Sequence, residues 1–172
     1  LTLHFFSVKT FSYENSRNIY GERGILEIPV AGSLNDGELG FSSTTVGAIT
    51  QNTLSFQAFP KVYGALRYTG IGDKPEQYYF SSGYTYWDRS FDLHYLFNKQ
   101  TNFLPSVAIG MRDFIGTGLY AGEYLVATKN ITKSIKLTGG LGWGRLSGKN
   151  QYSNIFGIGN KRSSIVQKTN IY

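Results

Sequence analysis

Asp92 and His94 are the residues whose types and spacing come closest to a catalytic arrangement in this chain. They are two positions apart, so in a β-strand both side chains point to one face, where a carboxylate can orient a histidine as a general base. Ser90 and Ser106 are conceivable nucleophiles, but no nucleophile motif surrounds either of them. We therefore interpret Asp92 and His94 as polar strand residues and predict that the chain is not an enzyme.

Other patterns that could bind a cofactor, a metal or a nucleic acid are weak. The glycine-rich strings at 116–122 and 140–144 lack the G-x-x-x-x-G-K pattern and a strand-to-helix setting, so they resemble phosphate-binding loops only superficially. The chain has no Cys, which excludes disulfides and thiolate metal sites. Its net charge of +6 is scattered, without the basic run of a nucleic-acid site. We predict no cofactor, no metal and no nucleic-acid partner.

Tyr84, Tyr86 and Trp87 form an aromatic group for which sugar binding is the candidate chemistry. Their flat, amphipathic rings can stack on a sugar ring at a modest cost in conformational entropy. The alternative interpretation is loop packing or a belt at a membrane surface, because such rings also gather where lipid meets water.

The composition favours β-strands as the elements that position these residues. Aromatic residues make up 16% of the chain, and Gly is frequent with 21 residues. Charged residues account for 16%, compared with about 25% in a typical soluble domain. No apolar run approaches the roughly 20 residues of a membrane helix. These features are typical of packed or membrane-facing strands.

Turn signals and period-2 alternation predict seven strands. Around Asp92 and again around Arg112, large apolar residues alternate with small, polar or charged ones. The predicted strands are 38–47, 53–59, 62–70, 89–98, 104–113, 122–130 and 135–146. Residues 1–37 are predicted to be an irregular N-terminal segment, and residues 147–172 a polar loop or the start of a further strand of a longer protein.

The predicted links favour an antiparallel up-and-down meander that is part of an outer-membrane β-barrel. Most of the strands have about the 9–11 residues that a tilted strand needs to cross a bilayer. After the first link, short and long connections alternate, as they do between the two ends of such barrels. A soluble β-sandwich shows the same alternation of side chains, so this pattern alone leaves both folds open.

Charged residues on the polar faces of these strands are predicted to point into a lumen, because a Lys or Arg facing lipid at mid-bilayer costs about 2–4 kcal/mol. Within this set we expect ion pairs, and Asp92 with Arg67 or Arg112 is the first choice. The predicted lumen residues are Arg67, Asp92, His94, Arg112, Glu123 and Lys129.

Several strings in order along the chain resemble the YjbH/GfcD family of outer-membrane proteins, which is tied to exopolysaccharide and capsule production. The matching text is NIYGERGILEIPVA (18–31), NDGEL (35–39), FQAFP (56–60), LRYT (66–69), RSFDLHY (89–95), LPSVAIGMRDFIGTGLYAGEYLVATK (104–129) and GLGWGRL (140–146). The resemblance implies an outer-membrane β-barrel, often a lipoprotein, several times longer than this chain, with this chain as its N-terminal portion. The lipidated Cys of such proteins is absent from the sequence.

The resemblance implies a non-catalytic component of exopolysaccharide or capsule export or assembly in the outer membrane. Its expected partners are outer-membrane lipid, exopolysaccharide and other export proteins. Two alternatives stay open: a general outer-membrane porin or transporter, and a soluble β-sandwich carbohydrate-binding module.

Overall fold

The computed structural model describes residues 16–72, 86–132 and 135–146. The described residues form an all-β fold whose main element is one antiparallel sheet of seven strands in sequence order, curled into a half-barrel. This confirms the predicted up-and-down meander. Its strands are β3 (Leu39–Val46), β4 (Ile49–Phe59), β5 (Val62–Ile71), β6 (Tyr86–Asn98), β7 (Ser106–Gly116), β8 (Gly122–Asn130) and β9 (Lys136–Gly142), preceded by the short pair β1 (Gly24–Ile25) and β2 (Ile28–Pro29).

The strand boundaries differ from the predicted ones mainly at glycine turns. β4 begins at Ile49 and not at residue 53, because Gly47 has a φ of 58° and turns the chain directly after β3. β9 ends at Gly142, and a 3₁₀ turn begins at Gly144, whose φ is 66°. Short and long links do not alternate as predicted, since the 99–105 link is longer than the 117–121 link. Among the described residues, no helix is long and apolar enough to span a membrane.

The two faces of the sheet carry opposite kinds of side chain. On β6, Asp88, Asp92 and His94 lie on a face that is buried, which we call the inner face. Phe91 and Tyr95 alternate with them on the outer face. The same period continues into β5 and β7. The alternation predicted around Asp92 in β6 and around Arg112 in β7 is therefore confirmed.

The inner face is covered by residues 16–34, which we call the inner segment. Its backbone is hydrogen-bonded to side chains of the sheet: Thr53 Oγ1 donates to the carbonyl of Tyr20 at 3.0 Å, and the amide of Ala31 donates to Thr128 Oγ1 at 2.9 Å. Small apolar clusters fill the remaining space, one around Tyr20 and Tyr120 and one around Ala31. The segment was predicted to be irregular, but it includes β1 and β2.

The outer face is apolar and exposed. No second sheet packs against it within the described residues, so Phe91, Leu93, Ile109 and Leu137 are not enclosed between stacked sheets. Leu137, for example, is 65% exposed. Aromatic side chains stand toward both ends of this face: Tyr68 and Trp87 at one end, and Phe59, Tyr95 and Phe97 at the other.

Candidate functional site

A buried ion pair joins β5 and β6 at the centre of the inner face. Arg67 donates two hydrogen bonds to the carboxylate of Asp92, at 2.7 and 2.9 Å, and both residues are 2% exposed. The strand register places Ala65 directly opposite Asp92, so Arg67 reaches it diagonally on the same face. The predicted pairing of Asp92 is therefore confirmed, with Arg67 as its partner.

The same carboxylate holds an irregularity in β7. Asp92 Oδ1 accepts a hydrogen bond from the amide of Asp113 at 2.6 Å. Asp113 has a φ of 51°, unusual for a residue other than glycine, and the β6–β7 register shifts at this point. Asp113 in turn accepts a hydrogen bond from the amide of Tyr120 at 3.1 Å, which fastens the 117–121 link over the inner face.

A second buried ion pair joins the inner segment to the sheet. Arg112 donates from Nε and Nη2 to Glu22 Oε2, at 2.9 and 2.7 Å, and also to the carbonyl of Glu27 at 2.8 Å. Burial by itself would raise the pKa of Glu22, but the Arg112 guanidinium, with help from Asn18, holds that pKa below its ordinary value. Glu22 is therefore ionised and paired inside the fold.

One aromatic ring lies close to both of the buried guanidinium groups. The Arg67 and Arg112 guanidinium carbons are 5.0 and 4.2 Å from the centre of the Tyr20 ring. Tyr20 itself is 1% exposed, and its hydroxyl accepts a hydrogen bond from Arg145 at 3.2 Å. Cation–π contact with a desolvated arginine is worth about 2 kcal/mol. The inner segment is thus held by its Glu22 carboxylate and by the ring of Tyr20.

The predicted neighbours Asp92 and His94 do not act on each other. His94 is 1% exposed, its Nδ1 lies 2.9 Å from the hydroxyl of Tyr124, and its ring stacks on Tyr63 at 4.4 Å. Asp92 is occupied by Arg67, as described above. The geometry gives His94 a packing and hydrogen-bonding position on the inner face.

Two predicted lumen residues do not share the strand parity of the inner face. Lys129 has the same strand parity as Leu125 and lies opposite Leu137, so it belongs to the outer face at the end of β8. Its Nζ donates to the carbonyl of Asn102 at 2.8 Å. Glu123 has the same strand parity as Leu125, although it is only 4% exposed. The prediction assigned both charges to the lumen by their polarity, whereas alternation along β8 assigns the inner face to the residues between them.

The candidate sugar-binding aromatics do not form one platform. Tyr86 packs against the cluster around Tyr20 and Tyr120. Trp87, its neighbour in β6, points to the opposite face, where it is 51% exposed and stacks on Tyr68 at 4.9 Å. Tyr84 lies outside the described residues.

Glu22 and Tyr20 are the residues of this site that sequence reasoning missed. Both lie in the segment predicted to be irregular, and no periodicity marks them there. One signal was available in the charge count: the predicted lumen set held three cations, Arg67, Arg112 and Lys129, and only two carboxylates, so a further carboxylate was needed nearby. Among the described residues, no group of three or more His, Cys, Asp or Glu is placed to hold a metal ion.

Comparison with known proteins places this arrangement in a family. The family described as "Exopolysaccharide biosynthesis protein YbjH" matches residues 16–170, which include both the inner segment and the sheet. The curated "Uncharacterized lipoprotein YjbH" of Escherichia coli (strain K12) is 38% identical over 135 residues, covering 76% of this chain and 19% of that protein. The chain thus spans about a fifth of the length of this relative. No solved structure matches. The chain belongs to the YjbH family of exopolysaccharide biosynthesis proteins.

Proposed function

We propose that the chain forms part of the wall of an outer-membrane β-barrel that serves exopolysaccharide production without catalysing a reaction. The observation that carries the proposal is the polarity of the sheet: ion pairs on the buried inner face and apolar residues on the exposed outer face. A membrane barrel has this arrangement, with lipid outside and polar groups inside. The family's link to exopolysaccharide and the lipoprotein relative support the same setting.

The dimensions of the outer face agree with a bilayer. Trp87 and Phe97 are ten residues apart on β6, which corresponds to roughly 33 Å along a strand. At the usual strand tilt of about 35–45°, this length projects to roughly 25 Å, the height of the apolar band of outer-membrane barrels. The aromatic residues at both ends of the band stand where the interfacial girdles of such barrels lie.

The sheet alone does not close. Among the described residues, β3 and β9 each pair on one side only, and lipid does not tolerate an unpaired strand edge. Because the chain corresponds to a fifth of its curated relative, we infer that further strands of the full-length protein pair with both edges and complete the barrel.

The inner segment covers the lumen side of this wall. Arg67, Asp92 and Arg112 were predicted to line a polar lumen, and here they are covered by the segment that carries Tyr20 and Glu22. We therefore propose a wall whose lumen side is filled at rest. Passage of a polymer along it requires the inner segment to move, which distinguishes this proposal from a permanently open porin.

The experiment uses the full-length protein. We expect it in the outer-membrane fraction, extractable only with detergent, with faster gel mobility before boiling than after. Deleting its gene is expected to lower the exopolysaccharide released by the cells, and the wild-type gene is expected to restore it. Extraction into detergent-free buffer would refute the barrel, and unchanged exopolysaccharide in the deletion strain would refute the proposed role.

A further inference from the structure

The outer face has a depression of about 430 Å³ where β5, β6 and β7 meet, a volume in the range of small-molecule sites. Its floor is apolar and is formed by Leu66, Phe91 and Ile115. Tyr68 and the stem of Arg89 form the side nearer the end of the sheet.

The depression is built into the strand pairing. The β6–β7 register shifts between Phe91 and Leu93, and beyond the shift Gly116 lies opposite Ser90. A Cβ atom at Gly116 would collide with the Asp113 side chain and lie 2.5 Å from the carbonyl of Arg89. Since the amide of Asp113 is held by Asp92, the buried ion pair of the inner face also fixes the shape of this outer site.

A cation stands at the rim. Arg89 is exposed, and its guanidinium carbon lies 5.6 Å from the centre of the Tyr68 ring, on which Trp87 stacks. Among the described residues, the Arg89 guanidinium has no carboxylate partner within salt-bridge distance. A positive charge with an aromatic neighbour therefore stands where the apolar band ends.

We propose that this depression binds an anionic phospholipid, with an acyl chain against Leu66, Phe91 and Ile115 and the phosphate at Arg89. The inference rests on the proposed membrane location. The floor continues the apolar band, which suits an acyl chain. The Arg89 charge, which no carboxylate of the described residues neutralises, complements a phosphate at the level where headgroups begin. A sugar or a peptide would leave its polar groups unpaired on this floor.

The test measures lipids retained by the full-length protein, using native mass spectrometry after equilibration with an equal mixture of phosphatidylglycerol and phosphatidylcholine. We expect the wild type to retain phosphatidylglycerol preferentially and Arg89→Gln to lower that preference about fivefold, as expected for one basic residue at a charged surface. The matched control Lys99→Gln removes an exposed cation at the opposite end of β6 and should leave the preference unchanged. Ile115→Trp fills the depression and should lower retention of both lipids.

The outcomes separate the two proposals. If the protein does not enter bilayers, or shows no heat-dependent gel mobility, the proposed function is refuted. If the protein enters bilayers but binds both lipids equally, the lipid site alone is refuted. The same holds if Arg89→Gln keeps the preference of the wild type. A preference for lipid A, in a second equilibration with an equal mixture of lipid A and phosphatidylglycerol, would also overturn it. Variants are compared only where their gel mobility shows a folded barrel, and Ile115→Trp serves as the second variant if Arg89→Gln does not fold.

Discussion

The inner and outer faces of the sheet are formed by the same strands, yet they differ in both polarity and exposure. Thr69 and Asp88 are completely buried on the inner face, whereas Leu66 on the outer face is 50% exposed. A soluble sheet turns its apolar face toward its core and its polar face toward water. The reversal found here indicates that burial on the inner face depends on hydrogen bonds and ion pairs, and that the apolar outer face is suited to a nonaqueous surrounding.

The two faces should therefore respond differently to substitution. A buried ion pair contributes little net stability, because desolvation offsets its attraction, but removing one partner leaves an uncompensated charge. On the outer face, the cost of a charge depends on what surrounds the sheet: it is large in lipid and small in water.

The largest effect is expected from Arg112→Ala. Without the guanidinium, the carboxylate of Glu22 stays buried and unpaired, which costs roughly 3–5 kcal/mol. The measurement is the free energy of unfolding of the full-length protein in lipid vesicles. Replacing both partners with apolar residues, Glu22→Leu with Arg112→Met, should cost much less than Arg112→Ala alone. Equal losses in the single and double variants would show that the ion pair is not what holds the inner segment.

On the outer face, Leu125→Arg tests what surrounds the sheet. Leu125 lies in the middle of β8 opposite Ile109 and Leu141 and is 40% exposed. If this position faces lipid, the free energy of unfolding in vesicles falls by about 2–4 kcal/mol. The control is Phe103→Arg in the 99–105 link, 91% exposed, where a change within about 0.5 kcal/mol is expected. A loss as small as the control's would remove the inference that this face contacts lipid.

The sequence predicts the strands of the sheet better than the inner segment that covers them. Turn signals and alternation were enough to predict the seven strands and the residues of β6 on each face, and the links between the strands predicted the meander, because all of these are local properties. The pairing of Asp92 with Arg67 or Arg112 followed from the same alternation, since both arginines lie on strands next to β6. Lys129 was misplaced because its polarity was given more weight than its parity.

The inner segment illustrates what the sequence does not disclose. Glu22 pairs with Arg112 ninety positions away, and nothing local in the string around Glu22 specifies that contact. Its position is decided by tertiary packing against an already curled sheet. The β7 irregularity at Asp113 was hidden for a similar reason: its positive φ is supported by hydrogen bonds involving Asp92 and Tyr120, which come from other elements.

Two glycines, one on each face of the sheet, are each covered by an aromatic ring, so adding a methyl group to each compares how tightly the two faces are packed. Gly110 on the inner face lies beneath the ring of Tyr124, which is 3% exposed and bonded to His94. Gly70 on the outer face lies beneath Trp87, whose Cζ3 would be 2.7 Å from an added Cβ. Trp87 is half exposed and can move aside, whereas Tyr124 is confined.

We therefore expect Gly110→Ala to lower the free energy of unfolding by about 1–3 kcal/mol, as overpacking does, and Gly70→Ala to lower it by less. Gly139→Ala is the control, because an added Cβ there meets no atom within 4 Å. If Gly70→Ala is as costly as Gly110→Ala, the outer aromatic stack is as rigid as the inner one.

The smallest effect on the free energy of unfolding is expected from lowering the pH. Because the pKa of Glu22 is held below its ordinary value of 4.5 in the folded protein, its ionised form contributes stability that is fully present above that value and is lost as the pH falls through the folded pKa. The difference in unfolding free energy between the wild type and Glu22→Gln should therefore be constant near neutral pH and shrink only in acid. Taking this difference cancels the contribution of the other carboxylates, because they titrate in both proteins. A difference that already shrinks near neutral pH would mean that Glu22 is protonated in the fold, and that the inner segment is held by Tyr20 and hydrogen bonds instead of by an ion pair with Arg112.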